Sequence, residues 1–449
     1  MSTRFAWLFG LAVLMGLGLL VACGSNYSSP SDGLMLVGSQ GSALIETFSF
    51  DLNSGHPFGI SNPPSSTADA TCVLPGLPSS ILLDPAGAYA YTIVNSNPGC
   101  PGSTNGILSI KVNSDGSIPS SGTSTSDPTP VALAMDSKGK FLFAVEGTYS
   151  MSTVPNAAPC PATPPPGAPG QYGICSYSIG SGGVLTPVLG TFNLTLPPGF
   201  QAPNFVAVAT SPTVFPGLGI NGVQNAVCSA AGTNPPTVEF LYVADQQNNV
   251  LWEFGVDTSS GAITNLPNFT SAQYIAAGSQ PSGVAVDPCQ RFVYVANNLS
   301  YNVSAYAICN GNSTQPTQIA NPCPTIPATG DGTLRAVDAS PFSLPGSATF
   351  PGPIAVDPYG KYVYVVGTGS NTVSPFRISP VSGGLTALTN VATGLRPASI
   401  AIRGDDNWLF VANYNSATVS EYQIIPSTGA LSPAPVIDVD NLPWGVAVK

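Results

Sequence analysis

The sequence predicts an all-β fold, a seven-bladed β-propeller built from four-stranded blades. The first observation is a repeat that consists of a proline, two further residues, an apolar or β-branched triplet and, in most copies, an Asp. Its last two intervals are each 46 residues long, which is the length of one propeller blade. The second observation is that the chain starts without a first strand and ends with a spare one. The seven copies start at Pro78, Pro130, Pro203, Pro281, Pro351, Pro397 and Pro443.

Each repeat continues with the same order of elements. The apolar triplet forms the first strand, and turns such as Asp287-Pro288 and Asp357-Pro358 follow it, with Asp and Pro where a type I turn favours them. The second strand is rich in β-branched and aromatic residues, as buried strands are; examples are RFVYVA, KYVYVV and NWLFVA. A polar turn leads to a third strand, such as NVSAYAI or TVSEYQI, and a Gly turn leads to a short fourth strand.

The two ends of the chain predict how the ring closes. The propeller begins with a second strand, Leu34 to Val37, and a third strand, Ala43 to Phe50. A surplus first strand, Trp444 to Val448, ends the chain. Placing this strand in the N-terminal blade completes seven blades and removes an open sheet edge. An array of β-sandwiches is the alternative, but it does not account for the missing strand and the surplus strand together.

The N-terminus predicts export and a lipid anchor. Arg4 precedes an apolar run, Phe5 to Ala22, which ends in the sequence Leu-Val-Ala-Cys at Cys23. This ending resembles the bacterial lipoprotein signal, in which the Cys becomes the lipidated first residue; an ordinary signal peptide or a single membrane anchor is the alternative. We expect a protein of the cell envelope that is held to the membrane by the lipid alone and faces the periplasm or the cell exterior. The expected divisions are a signal peptide at 1–22, a tether at 23–33 and the propeller at 34–449.

Composition excludes several classes of function. Hydrophobic residues make up 43% of the chain, enough for a large core despite 48 Gly and 46 Pro. Charged residues are only 7%, and the net charge is −11, so the basic surface that nucleic-acid binding requires is missing. The single histidine, His56, limits histidine-based catalysis and excludes a site with several histidine ligands. We expect neither a cofactor nor a bound metal.

Cysteine number agrees with export to an oxidising compartment. Nine cysteines are present, and removing Cys23 leaves an even number. In a propeller, the loops from second to third strands and from fourth to first strands share one face, here called the top face; the remaining loops share the bottom face. Sequential pairs each fall on one face, with Cys160 and Cys175 inside one long top loop. The expected disulfides are Cys72–Cys100 and Cys160–Cys175 at the top, and Cys228–Cys289 and Cys309–Cys323 at the bottom.

The strand motifs carry a family resemblance. RFVYVANN, KYVYVVGTGSNTV and NWLFVANYNSATV resemble the YVTN-type propellers of the lactonase family, which includes 6-phosphogluconolactonase-like proteins, and the resemblance covers residues 34–449. It implies hydrolysis of lactones without an obligatory redox cofactor, by His, Arg and Glu around the mouth of the central channel. Family members often carry Gly-Pro-Arg-His before a first strand. Here the nearest stretch is Gly394-Leu395-Arg396-Pro397, and His56 is expected in a bottom loop.

Three ionisable residues are the candidates for lactone chemistry on the top face. Hydrolysis needs a base or nucleophile and a group that stabilises the oxyanion. Glu146 and Asp245 close second strands on the top face and could act as bases, and Arg396 could face them. The alternative for all three is an ordinary charged loop residue. The other expected top-face rim residues, which close the remaining second strands, are Gly38, Asn95, Asn297, Gly367 and Asn413; Asn also simply suits turns.

Two functions remain open from the sequence. The first is a non-catalytic binding or scaffold module that takes a protein, a small molecule or a carbohydrate on its top face. Low charge, varied loops and the departure from the family's His and Arg pattern favour it. The alternative is a divergent lactonase that hydrolyses a sugar lactone through Glu146, Asp245 and Arg396. A Pro-rich insert, Ser150 to Gly173, is expected over the same face as a lid, a recognition loop or a spacer.

Overall fold

A computed structural model shows seven antiparallel sheets, which confirms the predicted propeller. Blade 1 combines the two ends of the chain, and blades 2 to 7 follow in sequence order. The first strands contact one another around the ring, so they are the innermost strands and surround the central channel. The structure describes residues 33–50, 57–59, 77–95, 105–118, 122–126, 130–146, 173–188, 194, 196–211, 239–267, 269–309 and 331–449.

The inner strands of each blade follow the predicted repeat. Beginning with blade 1, the first strands are Pro443–Val448, Leu77–Leu83, Pro130–Met135, Phe205–Thr210, Pro281–Val286, Pro351–Val356 and Pro397–Ile402. In the same order, the second strands are Leu34–Ser39, Tyr89–Asn95, Phe141–Glu146, Glu239–Asp245, Phe292–Asn297, Tyr362–Gly367 and Trp408–Asn413. The third strands are Leu44–Phe50, Gly106–Lys111, Ile174–Ile179, Val250–Val256, Asn302–Ile308, Thr372–Ile378 and Thr418–Ile424.

The outer strand is more broken than predicted. Blades 1 to 3 have one short fourth strand each: Pro57–Gly59, Thr123–Ser126 and Leu185–Pro187. In blades 4 to 7 two short pieces pair with opposite ends of the same third strand. In blade 7 the first piece ends at Pro433 and the interruption contains Pro435, and neither proline has an N–H to donate to a sheet. The pieces are Ile263–Thr264 and Gln273–Ala276, Leu334–Ala336 and Phe342–Ser343, Leu385–Ala387 and Val391–Ala392, and Leu431–Pro433 and Ile437–Asp438.

The predicted ring closure is confirmed. The last strand pairs antiparallel with the second strand of blade 1, with Met35 opposite Val448 and Val37 opposite Val446. It begins at Pro443, one residue earlier than predicted, and the second strand of blade 1 extends to Ser39. Side chains of both strands pack against Phe410 of blade 7, so the closing strand is part of the core between two blades.

Tyrosine hydroxyls form hydrogen bonds between neighbouring blades. In blades 4 to 6 a buried tyrosine of the second strand donates to a glycine carbonyl in the outer turn of the next blade, over 3.0 to 3.2 Å. Each glycine has a positive φ, and a Cβ there would come within 2.4 Å of an aromatic ring. The glycine turn seen in the sequence is therefore an inter-blade contact. The pairs are Tyr242–Gly332, Tyr294–Gly383 and Tyr364–Gly429.

The predicted signal peptide, and the predicted tether except for Gly33, lie outside the described residues, so both stay predictions. In the part of the chain that is described, no helix is long and apolar enough to cross a membrane. The helical structure in that part is a short 3₁₀ turn at Ser181–Gly183.

Candidate ligand-binding site at the top of the ring

The channel mouth is lined by uncharged side chains. We define the channel mouth as the residues second from the top of the seven first strands. Val131 is 41% exposed there, although its strand is central to the fold. Trp444 and Ser282 are partly exposed at the same level. The seven residues are Pro78, Val131, Val206, Ser282, Gly352, Ala398 and Trp444, and none of them can act as an acid or a base.

Asp245 lies on the top side, where the sequence predicts it, but its carboxylate is fully buried. Oδ1 accepts hydrogen bonds from the backbone N–H groups of Asn204 (3.1 Å), Gln247 (3.0 Å) and Asn248 (3.3 Å). Oδ2 accepts from Asn248 Nδ2 (2.7 Å) and Trp252 Nε1 (3.1 Å). Five donors occupy the lone pairs that a general base would need. The carboxylate holds the turn between the second and third strands in place.

Glu146 ends the second strand of blade 3 and is also buried, with 3% of its surface exposed. Its backbone N–H donates to the carbonyl of Gly173 over 2.9 Å. Its carboxylate lies against Gly173, where a Cβ would come within 2.4 Å of Oε2, and Oε1 is 3.6 Å from Cys175 Sγ. The alternative of an ordinary charged loop residue therefore does not hold for Glu146 and Asp245, because both side chains are buried inside the protein.

The asparagines of the expected rim are turn-forming residues. Asn297 and Asn413 are fully buried. Asn413 Nδ2 donates to Thr418 Oγ1 (3.1 Å) and Ser420 Oγ (2.9 Å), and Asn297 makes equivalent bonds in blade 5. Asn95 ends the second strand of blade 2 and is half-buried. In blade 1 the equivalent position is Ser39, not the predicted Gly38, because the strand is one residue longer.

Arg396 is the predicted site residue that reaches solvent on the top face. Its backbone has φ +50°, and its N–H donates to Asn371 Oδ1 over 2.7 Å. Its carbonyl accepts from the Tyr414 N–H (3.0 Å), and its guanidinium lies 4.8 Å above the Tyr414 ring. Tyr414 in turn packs edge-on against Trp444, with ring centroids 5.1 Å apart. The structure thus joins Arg396 to the channel mouth through two aromatic rings.

Sequence reasoning missed Tyr414 and Trp444 as site residues. Tyr414 is in the loop that follows the second strand of blade 7, and Trp444 was assigned only to ring closure. The sequence carries no local signal for this pair, because the two rings come from different blades and meet only in the folded ring. The three predicted residues are not one cluster: Glu146 and Asp245 are buried in blades 3 and 4, and Arg396 is exposed on blade 7.

Burial raises the pKa of Glu46 at the top of blade 1, where its Oε2 accepts from the Asp440 N–H over 2.8 Å, but several other carboxyl groups with raised pKa values lie away from the channel mouth. Burial raises the pKa of Glu253 and of Glu239 to about 8 and that of Glu421 to about 7. Burial beside Asp357 raises the pKa of Asp406 to about 8 at the bottom of the ring. These other groups lie between blades or in bottom turns, so they have no access to a ligand on the top face.

His56 and five of the eight body cysteines lie outside the described residues. Cys289 and Cys309 are buried on the bottom side, as expected. Cys175 is inside the third strand of blade 3 and not in a loop, because that strand begins at Ile174. The four disulfide pairs stay predictions. Within the described segments, no group of three or more His, Cys, Asp or Glu side chains could hold a metal ion.

The blades and their closure define the protein class, a seven-bladed β-propeller. The profile of the family described as "Lactonase, 7-bladed beta-propeller" matches residues 222–329 and 323–442. This part of the chain matches the family that the strand motifs resemble. No curated protein matches the chain closely enough to count as a relative.

Solved structures share the fold over nearly the whole chain. A Bacteroides fragilis protein considered to be a 6-phosphogluconolactonase has a TM-score of 0.63 and 17% identity, with 94% of this chain and 99% of that one covered. The periplasmic gluconolactonase of Pseudomonas aeruginosa has a TM-score of 0.62 and 14% identity, covering 93% and 98%. A Lactobacillus plantarum protein has a TM-score of 0.62 and 13% identity, covering 93% and 99%. At these identities the likeness shows the fold.

Proposed function

We propose that this chain is a non-catalytic binding module on a lactonase-like propeller, with its ligand on the top face. The main supporting observation is the state of Asp245, whose carboxylate accepts five hydrogen bonds in a fully buried turn. Glu146 is likewise buried. A base must reach the proton that it removes, and neither side chain reaches the solvent of the channel mouth.

Divergent lactone hydrolysis is the second candidate. The family match favours it, and so does the exposure of Arg396 beside the first strand of blade 7, where a cation could stabilise an oxyanion. It would require a base that reaches the channel mouth, and the seven described residues of the mouth supply none.

Lactone turnover by the purified full-length protein separates the two candidates. The assay compares a panel of sugar lactones, including a phosphorylated one, with the wild type, Glu146→Gln and Asp245→Asn. We expect no hydrolysis above the buffer rate in any of the three. Wild-type hydrolysis that falls by ~10²-fold or more in either variant would establish the lactonase instead, because that is the usual contribution of a general base.

The proposed location is the cell envelope, with Cys23 as the lipidated residue. The support is the Leu-Val-Ala-Cys sequence that ends at Cys23. We expect Cys23→Ser to leave the membrane fraction or to remain unprocessed. Normal processing and membrane retention of this variant would contradict the anchor.

Export also implies that the eight body cysteines are oxidised. Peptide mapping under non-reducing conditions should recover four pairs of sequence neighbours, each on one face of the ring. A bridge between a top cysteine, such as Cys175, and a bottom cysteine, such as Cys289, would contradict the pairing.

A further inference from the structure

Basic residues are distributed unevenly between the two faces. The chain has 11 Lys and Arg residues, and Arg4 is in the predicted signal peptide. Arg396 stands alone on the top face of the propeller. The others lie in bottom turns or at the bottom ends of strands: Lys111, Lys138, Lys140, Arg291, Arg335, Lys361, Arg377, Arg403 and Lys449.

The guanidinium of Arg396 is held in position but has no carboxylate partner among the described residues. The ion pairs in the described part of the chain join Arg291 to Asp287 and Arg403 to Asp405, both at the bottom. Arg396 is fixed instead by its backbone bonds and by the ring of Tyr414 beneath it. An exposed, oriented guanidinium in a protein of net charge −11 is suited to an anion, and its fork of N–H donors matches a carboxylate.

Apolar side chains extend from this cation toward the channel mouth, although Asn371 and Ser416 lie beside its backbone. Trp444 packs on Tyr414 and belongs to the channel mouth, where the neighbouring side chains include Ala398. Exposed Leu395, with 58% of its surface accessible, adds to the same edge. Ligand sites of this kind bury an apolar body and fix it with few polar groups. A polyanion or a highly hydroxylated ligand would find few partners at the mouth itself.

We propose that the top face binds a small organic anion, a carboxylate with an apolar body. The carboxylate pairs with Arg396, and the body lies against Trp444 at the channel mouth. This proposal rests on the proposed binding function and names its class of ligand. Neutral sugars and organic cations are the competing ligands that the test must separate.

Isothermal titration calorimetry with 4-phenylbutyrate and 4-phenylbutylamine tests the proposal, since the two probes share one body and differ in charge. With the purified full-length protein, we expect the carboxylate to bind at least ~10-fold more tightly than the amine, and Arg396→Gln to remove ~10-fold or more of that affinity. Gln fits the backbone, because Gln280 has φ +52° at the equivalent position of blade 5. Arg377→Gln, an exposed arginine at the bottom, is the matched control and should bind like the wild type.

A second variant tests the apolar part of the site. Trp444→Ala should weaken 4-phenylbutyrate binding, and thermal unfolding on the same sample shows whether the closing strand remains folded. If that variant unfolds, Trp444→Leu keeps an apolar side chain and still removes the flat ring. Equal binding of the two probes, or unchanged affinity in Arg396→Gln, would overturn the proposal. Tighter binding of glucose than of 4-phenylbutyrate would overturn it as well.

The outcome for the proposed function is read separately, from lactone turnover in the same preparations. No turnover and no binding of 4-phenylbutyrate would overturn the ligand class and leave a binding module without this ligand. Turnover that depends on Glu146 or Asp245 would overturn the non-catalytic function itself.

Discussion

The top and bottom faces of the ring use charged residues in opposite ways. At the bottom, buried Asp287 holds Arg291 through two side-chain contacts of 2.7 and 2.9 Å, and Arg291 also donates to the Gly360 carbonyl of the next blade. At the top, the buried carboxylate of Asp245 accepts hydrogen bonds from the backbone of a turn. Arg396 is exposed and has no carboxylate partner in the described residues. The bottom face therefore uses its charges to stabilise the ring, whereas the top face presents an exposed cation.

At the top of the ring, the residue before the first strand keeps the same backbone conformation in several blades although its side chain differs. The residue before the first strand has nearly the same positive φ in four blades, between +50° and +58°. A non-glycine residue in this conformation carries local strain, which folds retain where the surrounding structure fixes it. Four different side chains are thus held in one backbone geometry around the top of the ring. They are Gln280, Phe350, Arg396 and Leu442.

The largest expected loss of stability comes from removing the closing strand of blade 1, which runs from the top face to the bottom face. Deleting residues 443–449 exposes the edge of Leu34–Ser39 and the buried side chains of Met35 and Val37. We expect a loss of at least ~3 kcal/mol in the free energy of unfolding, because each large buried side chain contributes roughly 1.5–3 kcal/mol. Thermal unfolding followed by circular dichroism measures it. An unchanged midpoint would show that the ring is closed elsewhere.

A loss of stability of several kcal/mol is also expected from a single substitution at the bottom face. Asp287→Ala leaves the buried guanidinium of Arg291 without its carboxylate, which typically costs about 3–5 kcal/mol. Urea unfolding measures the loss. Arg291→Met is the partner variant; the double variant should recover part of the stability, since it leaves no unpaired buried charge. Equal stability of Asp287→Ala and wild type would contradict a structural role for the bottom ion pair.

The buried carboxyls predict that stability falls as pH rises. Their pKa values are raised by burial, to about 8 for Glu253 and Glu239 and about 7 for Glu421. The folded state therefore holds protons that the unfolded state releases, and the free energy of unfolding declines from about pH 5 to about pH 8. Urea midpoints at these two pH values test it. Glu421→Gln should flatten part of the slope, and a slope of opposite sign would contradict the assignment.

The smallest effect on stability is expected at the top. Arg396→Gln removes an exposed side chain whose contact with Tyr414 contributes about 0.5–1 kcal/mol at such sites. The thermal midpoint should stay close to that of the wild type, in contrast to Asp287→Ala. Destabilisation of several kcal/mol would assign Arg396 to structure and weaken the comparison between the faces.

Most of the fold could be predicted from sequence because its units repeat. Seven proline-led first strands, the Asp-Pro turns and the spare strand at Trp444 give the blade number and the closure. The register at blade 1 was one residue off, since Gly38 and Ser39 are both small and no pattern separates them. The split fourth strands were missed because short edge strands have weak alternation.

The site was predicted less well, for a physical reason. Glu146 and Asp245 stand at the correct ends of their strands, but strand position alone does not say whether a carboxylate faces solvent or folds back onto a turn. Asp245 folds back because three N–H groups of loops on both sides converge on one of its oxygens. Tyr414 and Trp444 meet only when blade 7 and blade 1 are brought together, so local sequence cannot pair them.

The most direct test of the central claim is a lactone turnover measurement on the wild-type protein alone. Acid release from sugar lactones, followed titrimetrically at about pH 7 where a general base is most effective, reports on the channel mouth without any variant. If the channel mouth carries no catalytic group, the lactones should hydrolyse at the same rate with native protein, with heat-denatured protein and in buffer alone. Saturable turnover that is lost on denaturation would contradict the account and establish a catalytic group at the top of the ring.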